Sequence, residues 1–213
     1  MITPITLNGN TVSLVSLPST PGPRSVEFSF SDSVAIVTSI FTGQTQAQQW
    51  VGADQWSGTL TLPPLTQPQA DRWISFLMEL RGMLNPFLLG DPLKPTPRGS
   101  GKGIPVVDTA GNVAGAQALL SRGWPINAWE LLRFGDYIQV GYRLHRVINP
   151  VNSNAAGKAS IAIWPSLREA PTDGQAIILN SPKGLFRLAQ NKRSWSTDVT
   201  RYSSISFQIQ EYR

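Results

Sequence analysis

Apolar and polar residues change period several times along the chain, and each change marks an element. Ile5 to Leu17 and Val26 to Phe41 are rich in Val, Ile, Phe, Thr and Ser, which predicts strands. The run Pro18-Ser19-Thr20-Pro21-Gly22-Pro23 between them is a loop, because repeated prolines remove ladder donors. Val34, Ile36 and Ile40 fall on one face of their strand, and Ala35, Val37 and Phe41 on the other. A strand apolar on both faces is expected to be buried on both sides or covered by a neighbouring chain. Gln48 to Leu62, with Gly52-Ala53-Asp54 at its middle, reads as a hairpin that brings Trp50 and Trp56 to a cross-strand contact.

The period then lengthens. Ala70, Trp73, Leu77, Leu80 and Leu84 recur at three- and four-residue steps, and Thr66, Pro68 and Gln69 supply a start signal. Gly82 supplies a stop, so an amphipathic helix is expected over about 67 to 81, lying on a sheet. Beyond Phe87-Leu88-Leu89 the segment Lys94 to Gly103 is the strongest loop signal of the chain and is expected to be a linker. Short strand candidates follow at 104–108, 117–120, 137–148, 160–164 and 176–179, the cadence of a small antiparallel barrel or sandwich. Near the C-terminus, Ile205, Phe207 and Ile209 alternate with Ser206, Gln208 and Gln210, a half-buried strand expected to return to the first domain.

The expected fold is mainly β: a split β-barrel or sandwich carrying one amphipathic helix, plus a small inserted antiparallel β-barrel. Residues 1–93 together with 183–213 would form the first domain, 94–103 the linker and 104–182 the insertion.

Composition narrows the chemistry. With no Cys and a lone His145, thiol nucleophiles, Cys-based zinc sites and conventional histidine metal clusters are ruled out, and no cofactor or metal is expected. Lys and Arg exceed Asp and Glu, 18 against 13, but only Lys192-Arg193 are adjacent, so no polybasic arm is marked. Gly99-Ser100-Gly101-Lys102-Gly103 has the glycines of a phosphate loop without the Ser or Thr after the lysine, and no apolar strand leads into it. No Gly-x-Ser-x-Gly elbow occurs, and His145 alternates with Leu144 as on the polar face of a strand, so no catalytic residue is assigned and no enzymatic activity is expected. No basic segment followed by an apolar run opens the sequence and no stretch approaches the ~18 apolar residues of a spanning helix, so synthesis and folding are expected in the cytoplasm with no membrane insertion. Among the tryptophans, Trp124 and Trp129 lie in a loop-like stretch and are candidates for a surface contact with carbohydrate or another ligand.

The run Trp56-Ser-Gly-Thr-Leu-Thr-Leu-Pro-Pro-Leu65, followed by Gln69-Ala-Asp-Arg-Trp73-Ile-Ser-Phe-Leu77-Met-Glu-Leu80-Arg-Gly82, resembles the distal tail proteins of long-tailed, siphovirus-like bacteriophages and prophages. Phe87-Leu-Leu-Gly90-Asp-Pro92, Gly135-Asp-Tyr-Ile-Gln-Val140, Ile163-Trp-Pro-Ser-Leu-Arg168 and Ile205-Ser-Phe-Gln-Ile-Gln-Glu211 continue the likeness. The resemblance implies a structural, non-enzymatic virion protein at the tail tip, assembled in the host cytoplasm. It implies a homo-oligomeric ring, typically a hexamer, that joins the tail tube protein to the hub or tip of the baseplate and encloses the channel for DNA ejection. On that reading Val34, Ile36, Val37, Ile40, Phe41 and Trp50 are expected at the contact between copies, and Arg98 and Lys102 are candidates to face DNA passing non-specifically through the lumen. A carbohydrate- or host-surface-binding β module is the alternative expectation, and a cell-envelope hydrolase dependent on His145 a third.

Overall fold

A computed structural model describes residues 2–7, 9–108, 111–197 and 202–213. In chain order the strands are β1 (Ile2–Leu7), β2 (Asn10–Val15), β3 (Ser25–Ser31), β4 (Val34–Thr38), β5 (Thr45–Gln49) and β6 (Gln55–Thr61). Helix α1 (Gln67–Glu79) and strand β7 (Phe87–Leu89) follow. Then come β8 (Val106–Val107), β9 (Ala118–Arg122), β10 (Tyr137–Val140), β11 (Arg143–Val147), β12 (Lys158–Trp164) and β13 (Ile177–Ile178). The last four are β14 (Gly184–Leu188), β15 (Ser196–Thr197), β16 (Ser203–Ser204) and β17 (Ser206–Glu211). About 40% of the chain is strand and 6% helical, so the protein is mainly β.

The chain divides into two compact units, one made of 1–29, 56–91 and 183–213, the other of 30–55 and 92–182. In the first, a seven-stranded sheet in the order β1-β2-β7-β14-β17-β6-β3 curls into a half-barrel. β2 and β7 run parallel, while β7–β14, β14–β17 and β17–β6 are antiparallel. β17 sits centrally because its period-two pattern buries Phe207, Ile209 and Glu211 on one face, and the Glu211 carboxylate accepts a hydrogen bond from the Trp56 N–H at 3.2 Å. α1 starts where the sequence signals it: the Gln69 side-chain carbonyl accepts from the Thr66 N–H at 3.0 Å. It buries Ala70, Trp73, Phe76 and Leu77. Phe76 meets Phe87 edge-on with ring centres 5.4 Å apart, and Trp73 lies 6.4 Å from Phe207, which fixes the helix on the sheet face. Leu80 is buried too, but Leu84 is exposed, so the helical stripe ends before it.

In the second unit, six strands in the order β13-β10-β11-β12-β9-β8 form a nearly closed barrel, with an antiparallel bridge from Val106 to Ala176 joining its ends. Leu119, Leu132, Ile138, Val147, Ile161 and Ile163 fill its core. The apolar run expected as one strand over 137–148 is the hairpin β10–β11, folded back at Gly141, whose φ is +58°.

Three expectations change here. Residues 30–55 belong with the barrel unit, not with the first domain, and β4 and β5 pair with each other through the turn at 39–44. The hairpin expected around Gly52 therefore does not form: β6 pairs with β17, Trp56 is buried against Phe28 at 5.8 Å, and Trp50 is exposed, so these two tryptophans make no cross-strand pair. The segment 94–103 is not a free linker either. The Ser100 and Gly101 N–H groups donate to the Glu130 and Leu131 carbonyls at 2.9 Å, and the Arg98 and Gly99 N–H groups donate to the Asp136 carboxylate.

Candidate functional site: the exposed β4–β5 hairpin and its root

The hairpin β4–β5 is a two-stranded sheet with both faces open. Register pairs run from Val34 with Gln49 to Thr38 with Thr45, so an apolar strand is matched to the polar strand Thr-Gln-Ala-Gln-Gln. Val34, Ile36, Val37 and Trp50 are exposed, and at the tip Ile40 and Phe41 are 89% and 91% exposed. Of the two outcomes expected for this strand, burial on both sides within the chain is overturned. A two-stranded hairpin is marginal in water by itself, and exposed apolar patches of this kind mark contact sites or aggregation hazards.

Its root is built to hold it. Asp54 and Ser166 are buried, and Arg168 is partly buried with its side chain 8% exposed. The Asp54 carboxylate accepts from the Ser166 N–H at 2.5 Å, the Ser166 hydroxyl at 2.7 Å and Arg168 Nη1 at 3.0 Å. Arg168 Nη1 also donates to the Gly52 carbonyl at 2.6 Å, Nη2 donates to the Asp54 carbonyl, and the Gly52 N–H donates to the Ser166 hydroxyl oxygen. Burial opposes ionisation of Asp54, but the Ser166 donors and the Arg168 guanidinium outweigh it and hold the carboxyl below its ordinary range. On the other strand leg, Trp164 Nε1 donates to Asp32 at 2.8 Å and Phe30 meets Trp164 edge-on at 5.4 Å. The Trp164-Pro165-Ser166-Leu167-Arg168 run is thus the socket of the hairpin, with a cis bond between Trp164 and Pro165. Sequence reasoning took Gly52-Ala53-Asp54 for a turn and missed this network, since nothing local in either segment signals a partner more than a hundred positions away.

The remaining candidates separate. Trp129 is 78% exposed on a loop held by Ala128 N–H to Ser153 and Glu130 N–H to Asn152. Trp124 is 4% exposed and is corrected from surface to core: its Nε1 donates to the Ser121 hydroxyl at 2.8 Å, which donates on to the Ala159 carbonyl. Arg98 does not swing on a loose loop; its guanidinium lies over Phe134 at 5.3 Å, donates to the Phe134 carbonyl and neighbours Asp136 at 3.6 Å. Lys102 is exposed. His145 is not on a polar strand face. It is 1% exposed, with Nδ1 2.8 Å from the Pro165 carbonyl, which stitches β11 to the socket segment.

The geometry therefore defines a helix-bearing half-barrel unit and a small barrel unit from which an apolar hairpin stands out. No protein-family model and no curated protein matches the chain.

Proposed function

We propose that the chain is a structural virion protein whose copies close into a ring at the distal end of a long phage tail, between the tail tube and the tip hub, around the DNA channel. The observation that carries this reading is the exposed apolar hairpin on a buried polar root. Covering Ile36, Val37, Ile40 and Phe41 is worth about 1.5–3 kcal/mol for each side chain. That total is of the same order as the ~4–15 kcal/mol lost on association, so one such contact is marginal by itself. A head-to-tail ring gives every copy two contacts and leaves no free apolar end, whereas an open chain of copies would not close. The hexamer and the neighbouring tube and hub proteins rest on the resemblance of the 56–82 segment to distal tail proteins.

Electron microscopy of the purified chain at high concentration tests the reading. Closed rings with a central hole are expected, and single particles without rings, also in the presence of tail tubes, would refute it. The second reading, a carbohydrate- or host-surface-binding module, is favoured by Trp129 alone, an exposed indole on a hydrogen-bonded loop, of the kind that stacks on sugar rings. Glycan binding abolished by Trp129→Ala would establish that role.

A further inference from the structure

In the barrel unit, Arg98, Arg122, Arg133, Arg143, Lys158 and Arg168 each pair with a carboxylate. Lys94, Lys102 and Arg146 make no such pair among the described residues. Two of these three share an anchor: Lys94 Nζ lies 5.7 Å and Arg146 Cζ 5.6 Å from the centre of the same buried Tyr137 ring. Arg98 joins them, because a Cβ placed on Gly135 would stand 3.2 Å from Arg146 Nη2 and 3.5 Å from Arg98 Nη2. The two guanidinium groups are therefore close enough to take neighbouring phosphates of one strand, and Asp136 offsets only the Arg98 charge. Beside them Phe134 is 61% exposed, its ring presented at the edge of the cationic cluster.

We infer that Lys94, Arg98, Arg146 and Phe134 form a binding site for single-stranded nucleic acid, the cations taking successive phosphates and the Phe134 ring one base. Like charges placed together cost free energy unless an anion joins them, and here the rings of Tyr137 and Phe134 hold the cations in place without neutralising them. Interleaved cations and an exposed aromatic suit an unpaired strand, whose bases can turn out onto a ring, whereas a duplex keeps its bases stacked and offers phosphate alone. The inference does not depend on ring formation.

Fluorescence anisotropy with a labelled oligothymidylate of fifteen nucleotides and the full chain tests it, with unchanged thermal unfolding as the check on each variant. Binding is expected in 50 mM salt, with log K falling against log salt at a slope of about −2 for three phosphate contacts. In Lys94→Gln/Arg146→Gln the affinity should drop at least tenfold and the slope shrink below about 1 in magnitude. Phe134→Ala should weaken the oligonucleotide about fivefold or more while leaving competition by inorganic polyphosphate unchanged. Lys192→Gln, outside the cluster, should change nothing. No binding by the wild type, equal loss in Lys192→Gln, or full affinity in the double variant or in Phe134→Ala would overturn the inference.

Discussion

Asp54 and Arg168, 114 positions apart in the chain, form a buried ion pair at 3.0 Å that fixes one leg of the β4–β5 hairpin to the segment following β12. The pair is enclosed by hydrogen bonds to Ser166 and to the Gly52 carbonyl, so each charge is fully used. Removing one partner strands the other in a site with little access to water. Arg168→Ala should therefore destabilise the protein by about 3–5 kcal/mol, read as a lowered denaturant midpoint.

The same pair sets a pH dependence. Asp54 has its carboxyl held below the ordinary value, so its contribution to stability is complete above the unfolded-state pKa and is lost as pH falls through the folded one. The thermal midpoint of the wild type should exceed that of Asp54→Asn by a constant margin above pH about 5, and the margin should shrink below pH about 4. A margin that persisted unchanged to pH 2 would show that Asp54 is not charged in the folded state.

The two loop tryptophans should behave oppositely. Trp124→Ala removes a buried ring and leaves the Ser121 hydroxyl without its donor, at a cost of about 3–5 kcal/mol. Trp129→Ala should stay within about 0.5 kcal/mol of wild type. Urea unfolding curves of the two variants side by side check the pair of expectations.

Gly58 in β6 lies against the backbone of β3: a Cβ there would come 2.2 Å from the Glu27 carbonyl oxygen. Because the obstacle is main chain, no rotamer relieves it, and Gly58→Ala should cost about 1–3 kcal/mol or more. Gly43→Ala is a useful contrast, since nothing stands near its Cβ position and only its positive φ of +67° is strained.

Elements whose partners are local were legible in the sequence. The three- and four-residue spacing of Ala70, Trp73, Leu77 and Leu80 specified α1, and the alternation of Ile205, Phe207 and Ile209 specified the strand that completes the first sheet. The barrel emerged from the spacing of its short apolar runs. β14 did not, because Gly184-Leu185-Phe186-Arg187-Leu188 is covered on both faces except at Arg187 and so shows no alternation. The hairpin was misplaced because Gly52-Ala53-Asp54 looks like a turn, while the real one at 39–44 closes through the Ser39 and Gln44 backbone groups and carries Ile40 and Phe41 at its tip. The apolar character of this strand was visible from its residues; that both its faces are open was not, because exposure depends on which distant segments arrive beside it. Trp124, next to Pro125, read as loop for a similar reason: its burial comes from Ser121 and the barrel core.

Whether copies of the chain cover the hairpin is measured most directly by sedimentation equilibrium of the wild type beside Ile40→Ser/Phe41→Ser, both in the turn at the opposite end of the hairpin from its root and on side chains already facing solvent. A closed oligomer of defined size for the wild type, and a folded monomer whose thermal midpoint no longer depends on protein concentration for the double variant, is the predicted result. A wild type that stays monomeric at every concentration, or a double variant that assembles just as well, would contradict the account.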